Sequence, residues 1–141
     1  MTKKEILHAL FSSGFFSKWM GESQRQALRS VINGEEGDHF VELLNNLRAR
    51  IEAMPASYET DGEGDNAVVH LHYFRGSIDA WITEKDAGDG SEDDSQYQAF
   101  GKITLTGSKE DAEFGYISIE ELIGNDVELD LYWEPKRLAE I

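Results

Sequence analysis

The chain has 141 residues, no cysteine, and 28 Asp/Glu against 13 Lys/Arg, giving a formal net charge of -15. A chain of this length fits one domain and buries roughly 68–70% of the surface its unfolded state exposes, enough to fold without cross-links. The lack of cysteine excludes disulfides, Fe–S clusters, thiolate nucleophiles and cysteine-ligated zinc, and allows a reducing compartment.

The opening stretch, MTKKEILHALFSSGFF, is interrupted by Glu5, His8, Ser12 and Ser13, too polar for a signal-peptide core. No apolar run approaches the roughly 20 residues that span a bilayer, so the expectation is a soluble, cytoplasmic protein. Thr2 followed by Glu5 reads as a capping box, Ile6, Leu7, Leu10 and Phe11 as one helical stripe, and Gly14 as a stop. A second helix places Met20, Ala27, Leu28, Val31 and Ile32 on one face before Asn33-Gly34. Asp38 is positioned to cap a third helix, in which Phe40, Leu44, Leu47, Ile51 and Met54 recur at steps of four and three until Pro55 ends it. Stripes this short are more often core than partner seam.

Beyond Pro55 the period changes. Residues 55–66 read as a polar, Gly-rich linker, and AVVHLHYF, DAWITE, QAFGKITL, EFGYI and VELDLYW as strands. Alternation in the last puts Val127, Leu129, Leu131 and Trp133 on one face and Glu128, Asp130 and Tyr132 on the other. Ser118 and Glu121 open a short helix through Leu122 and Ile123 to Gly124. Helices followed by strands predict an α+β fold with a mostly antiparallel sheet. All of it forms one domain: a helical region over residues 1–54, a linker over 55–66 and a sheet region over 67–141.

A Gly76-Ser77 turn pairs 74 with 79, 72 with 81 and 70 with 83. His70, His72, Phe74, Asp79, Trp81 and Thr83 then share one face, Val69, Leu71, Tyr73, Ala80 and Ile82 the other. Glu84 falls on the face opposite the histidines. His70, His72 and Asp79 are a candidate site for a divalent metal such as zinc, weighed against histidines that are hydrogen-bonded or stacked on Trp81. The stretch Asp61–Asn66 resembles the start of a calcium loop. An EF-hand needs Gly and Glu where Asn66 and His72 stand, which leaves a solvated turn. There is no G-x-S-x-G elbow, P-loop or H-E-x-x-H, hence no local catalytic signature, and no catalytic residue is assigned.

The charge is unevenly distributed. Through Met54, seven basic residues meet seven acidic ones, and the remaining six basic residues face 21 acidic ones. Such a field repels nucleic acid and anionic lipid and speeds association with basic proteins. Asp86, Asp89, Glu92, Asp93 and Asp94 in the loop, with Glu128 and Asp130 on the last strand, are candidate partner-binding residues. On a strand, Glu128 and Asp130 would advance with a stride of roughly 6.5–7 Å, comparable to that of successive phosphates. The alternative is a loop and strand face that are merely solvated.

The segments HLHYF, WITEKD, QAFGKI, EFGYISIEEL and ELDLYWEPKRL, in this order, resemble an uncharacterised bacterial family carried on plasmids, integrative elements and phages. The resemblance runs from about Met54 to the C terminus. The chain departs from it in the acidic run between Asp86 and Ser95, and in Phe114 where a smaller aliphatic residue is expected. The resemblance implies a mobile-element accessory protein and supplies no catalytic residue. Small acidic proteins of such elements recurrently inhibit DNA-binding defences, restriction and CRISPR complexes among them, some by imitating DNA charge. The expectation is therefore a non-enzymatic acidic protein that binds a basic nucleic-acid-binding host protein, without a cofactor. Two alternatives are a small metal-dependent enzyme or ligand-binding domain using the HxH strand, and a toxin–antitoxin or regulatory partner using the helices.

Overall fold

The structure, a computed structural model, describes residues 1–88 and 95–141. It has the predicted α+β architecture. Three helices, α1 (Lys3–Ala9), α2 (Glu22–Ile32) and α3 (Gly37–Ala53), precede strands β1 (Val68–Val69), β2 (Leu71–Arg75), β3 (Ile78–Glu84), β4 (Ala99–Thr104) and β5 (Glu113–Ile117). Helix α4 (Ile119–Gly124) and strands β6 (Glu128–Leu129) and β7 (Lys136–Arg137) follow. Among the described residues no helix is long and apolar enough to cross a membrane.

The helix boundaries follow the sequence in part. Thr2 and Glu5 form the reciprocal capping box, satisfying two of the N–H groups a helix start leaves open. Helix α1 stops at Ala9, short of Gly14, and the Leu10 carbonyl is taken by Arg25 Nη1 at 3.1 Å. In α2 the inward stripe is Arg25, Leu28 and Ile32, leaving Ala27 and Val31 exposed, contrary to the sequence reading. Arg25 is tolerated inside because its Nε also donates to the Met20 carbonyl at 3.0 Å. Asp38 lies within the first turn of α3 rather than capping it, where its charge still favours the positive helix end. Met54 takes the extended conformation that a following proline imposes, and α3 ends there as expected.

The main sheet is antiparallel throughout, in the order β5-β4-β3-β2-β6. The β2–β3 hairpin has the predicted register, His72 opposite Trp81 and Phe74 opposite Asp79. Its turn has Gly76 at φ +53°, a conformation that favours glycine. One face of the sheet (Leu71, Tyr73, Ala80, Ile82, Ala99, Ile117, Leu129) packs on Ile6, Leu28, Leu44, Leu47 and Ile51 from the helices, forming one continuous core. The buried Tyr73 hydroxyl donates to the Trp19 carbonyl at 2.5 Å, tying the two layers. A separate two-stranded pairing of β1 with β7 carries the C-terminal segment across the other face, where Leu138 and Trp133 pack with Val69 and Trp81.

Three sequence expectations change here. VELDLYW is a strand only over Glu128–Leu129: Asp130 stays beside His72 on the outer face, and its Oδ1 accepts the Tyr132 N–H at 3.0 Å in the turn that follows. Trp133 consequently joins the second cluster rather than the main core. Val69 packs with Trp81, not on the face opposite it, because the strand is interrupted at His70, whose N–H bonds the Ile82 carbonyl at 2.9 Å.

Candidate functional site

The β3–β4 ladder runs in phase from Asp79 to Ile82 and then shifts: Ile82 faces Gly101, yet Glu84, not Thr83, pairs with Phe100. This β-bulge inserts one extra residue. Its effect is to put Glu84 on the outer face of the sheet, opposite to the side that simple alternation assigns, in one row with Phe100 and Tyr116. The neighbouring row is Trp81, Lys102 and Phe114. Behind the bulge Lys85 turns to the helical side, where its ammonium donates to the Ile51 and Glu52 carbonyls at 3.0 and 3.1 Å, capping the last turn of α3.

Glu84 is 5% exposed. A carboxylate buried to this degree needs donors, and residues 55–66 supply them. The Tyr58 N–H donates to Oε1 at 2.8 Å, and the Thr60 N–H to Oε2 at 3.0 Å, with the Thr60 hydroxyl on the same oxygen. The expected linker is thus a wall folded back on the sheet. Tyr58 adopts φ +69°, uncommon for a bulky side chain. The anchorage stands its ring over the sheet, where its hydroxyl meets that of Tyr116 at 2.8 Å and pushes the Tyr116 phenol above its usual pKa.

Between wall and sheet lies a cleft of about 370 Å³, lined by the rings of Tyr58, Phe100, Phe114 and Tyr116, with Thr60, Thr83, Glu84 and Asp61 supplying polar atoms. The volume falls within the range of ligand pockets. Phe100 stacks on Phe114 (centroids 6.1 Å, 11°) and meets Tyr116 edge-on (5.8 Å, 77°). Phe114, Tyr116 and Tyr58 are all exposed aromatic surface. Beside the cleft, Lys102 Nζ lies 4.7 Å from the Phe114 centroid and 3.0 Å from Asp65 Oδ1.

A second polar cluster sits farther along the same face. His72 is held between two carboxylates, Nε2 on Asp79 Oδ1 at 2.8 Å and Nδ1 on Asp130 Oδ2 at 3.1 Å. It also stacks on Trp81 and Phe74 and touches Trp133. Both ring nitrogens thus already face carboxylate oxygens. His70, the other proposed ligand, is half-buried at the strand break beside Arg50; burial first, then the guanidinium, lowers its pKa. Among the described residues no group of three or more His, Asp or Glu side chains is disposed to hold a metal ion.

Of the proposed partner-binding acids, Asp89, Glu92, Asp93 and Asp94 lie outside the described residues. Asp86 anchors the start of that loop, with Oδ1 on the Gly88 N–H at 2.8 Å and Oδ2 on the Gln98 N–H at 3.0 Å. Asp130 is committed to His72 and Tyr132, so it forms no open row with Glu128, which is exposed. The sequence reading missed the cleft. Its signal was the pair of motifs Phe100-Gly101 and Phe114-Gly115-Tyr116, rings alternating with glycines that pair across the strands. No protein-family model, curated protein or solved structure matches the chain.

Proposed function

We propose that the protein is a non-enzymatic acidic binding protein whose partner is a basic nucleic-acid-binding protein. One observation carries this reading: beyond Pro55 most of the described carboxylates are exposed to solvent, while most of the cations are engaged within the chain. Glu59, Asp61, Glu63, Glu110, Glu113 and Glu128 are exposed. Lys85 caps α3, Arg75 donates to the Asp126 carbonyl, Lys102 pairs with Asp65, Lys136 lies over the Trp133 ring, and Arg137 pairs with Glu140. A surface so unbalanced attracts basic proteins, repels nucleic acid, and weakens in both respects as salt rises. The specific form of the reading, supported by the resemblance in the C-terminal region, is a mobile-element protein that occupies phosphate-binding positions of a host restriction or CRISPR complex.

The test is capture from bacterial lysate at low and moderate salt, with the partner identified by mass spectrometry and then purified. The expected result is a nucleic-acid-binding protein that duplex DNA displaces and that is lost when Asp89, Glu92, Asp93 and Asp94 become Asn or Gln. Equal capture by both forms at low salt, or indifference of the purified partner to DNA, would overturn the reading.

A further inference from the structure

We propose that the aromatic cleft receives one cationic side chain, a lysine or arginine, from a basic segment of the protein partner. The inference rests on the binding reading above and names the ligand chemistry of one site within it. The cleft presents four aromatic rings and the exposed Asp61, and none of its lining residues carries a positive charge. Ring faces are the negative side of the aromatic quadrupole, so a cation is attracted and a phosphate or carboxylate is not.

The chain holds an instance of this chemistry beside the cleft. Lys102 places its ammonium over Phe114 while pairing with Asp65, a cation between a ring and a carboxylate. Tyr58, Tyr116 and Asp61 repeat these ingredients on the open side, where no lysine or arginine of the chain lines the space. Glu84 is engaged by its three donors and serves to hold the wall. Tyr58 keeps a left-handed backbone and 70% of its surface in solvent, an arrangement that costs order without burying the ring. Covering that ring with a partner side chain returns apolar burial as well as charge complementarity. A lysine or arginine stem fits this double demand, having an apolar body and a charged tip.

The experiment uses the full chain and short Gly/Ser peptides that differ only at the central residue: Arg, Lys, citrulline or norleucine. Tetramethylammonium chloride is a separate arm. Ring resonances of Tyr58, Phe100, Phe114 and Tyr116 are followed by NMR at moderate salt. The expected result is that the Arg and Lys peptides shift these rings and the citrulline and norleucine peptides do not. Phe114→Ala and Tyr116→Ala should each weaken the cationic peptides about tenfold, the equivalent of about 1.4 kcal/mol. Tyr116→Phe, which keeps the ring and loses only the hydroxyl contact, should retain binding. Equal binding of neutral peptides overturns the inference, as do cationic peptides that leave the cleft rings unmoved. Binding of tetramethylammonium without the peptides overturns the protein source in favour of a small cation. A nucleic-acid-binding protein held undiminished by the Phe114 and Tyr116 variants defeats the cleft alone. Arg peptides seated in the cleft of a protein that binds no such partner defeat the functional reading instead.

Discussion

Replacing Glu84 by Gln keeps the side chain's shape and removes its capacity to accept at both oxygens. The amide oxygen can stay on one backbone N–H, but the new NH2 group then faces another donor on the wall. The Thr60 hydroxyl can rotate to accept from it; the Tyr58 or Thr60 N–H, whichever meets the NH2, cannot. One orphaned backbone donor costs about 1–3 kcal/mol when buried. Thr60 is 9% exposed, so water relieves little of that while the wall stays in place. An upper limit comes from the wall itself, since opening residues 56–66 lets every donor reach water and releases the Tyr58 backbone strain, of order 1–3 kcal/mol. The expected loss is therefore about 1–2 kcal/mol by urea denaturation, with amide exchange accelerated at Tyr58, Thr60 and Asp61 and unchanged in the central strands. A stability within about 0.5 kcal/mol of the wild type, together with unchanged exchange at those amides, would refute the anchoring role.

His70 gives a pH dependence. Its folded pKa is depressed below the ordinary value of 6.5, first by burial and then by Arg50, with Asp130 facing the same guanidinium. As pH falls below 6.5 the unfolded chain binds a proton that the folded chain resists, so stability falls with pH through this window and levels off below the folded value. Urea denaturation at closely spaced pH values should show this slope reduced in His70→Gln; an identical slope would count against it. At Gly101 an added Cβ would lie 1.9 Å from the Trp81 carbonyl oxygen, a backbone atom that cannot move aside. Gly101→Ala is expected to lower stability by about 1–3 kcal/mol, as overpacking of a close strand approach does. A melting temperature equal to the wild type's would refute the close contact.

How far the sequence carried the fold depended on the reach of each signal. Local signals were reliable: the Thr2/Glu5 box, the proline stop at Pro55, Ser118 accepting from the Glu121 N–H at 3.1 Å, and the Gly76 turn that sets the β2–β3 register. Alternation failed where the backbone departs from it. The bulge at Thr83 puts Glu84 on the outer face, the break at His70 separates Val69 from Leu71, and the turn that follows Asp130 ends β6 early. Each departure is fixed by a partner distant in sequence: Phe100 for the bulge, Ile82 for the break, His72 for Asp130. The cleft needed one such departure, the Thr83 bulge, together with residues 55–66 lying against the sheet, whose polar composition reads as a linker. The acidic reading, by contrast, needed only counting, which located the charge and not the shape that receives it.

The Thr83 bulge also sets up a mechanical relation between the two layers. Glu84 grips the wall of the cleft, and the next residue, Lys85, grips the last turn of α3. Successive Cα atoms are about 3.8 Å apart, so a shift of the Glu84 backbone is a shift at Lys85 as well. A guest that tightened Tyr58 and Thr60 around Glu84 would thereby steady the end of α3, and by reciprocity fraying of that helix end would loosen the guest. The sheet lies between cleft and helices, and this one peptide makes it a lever joining them.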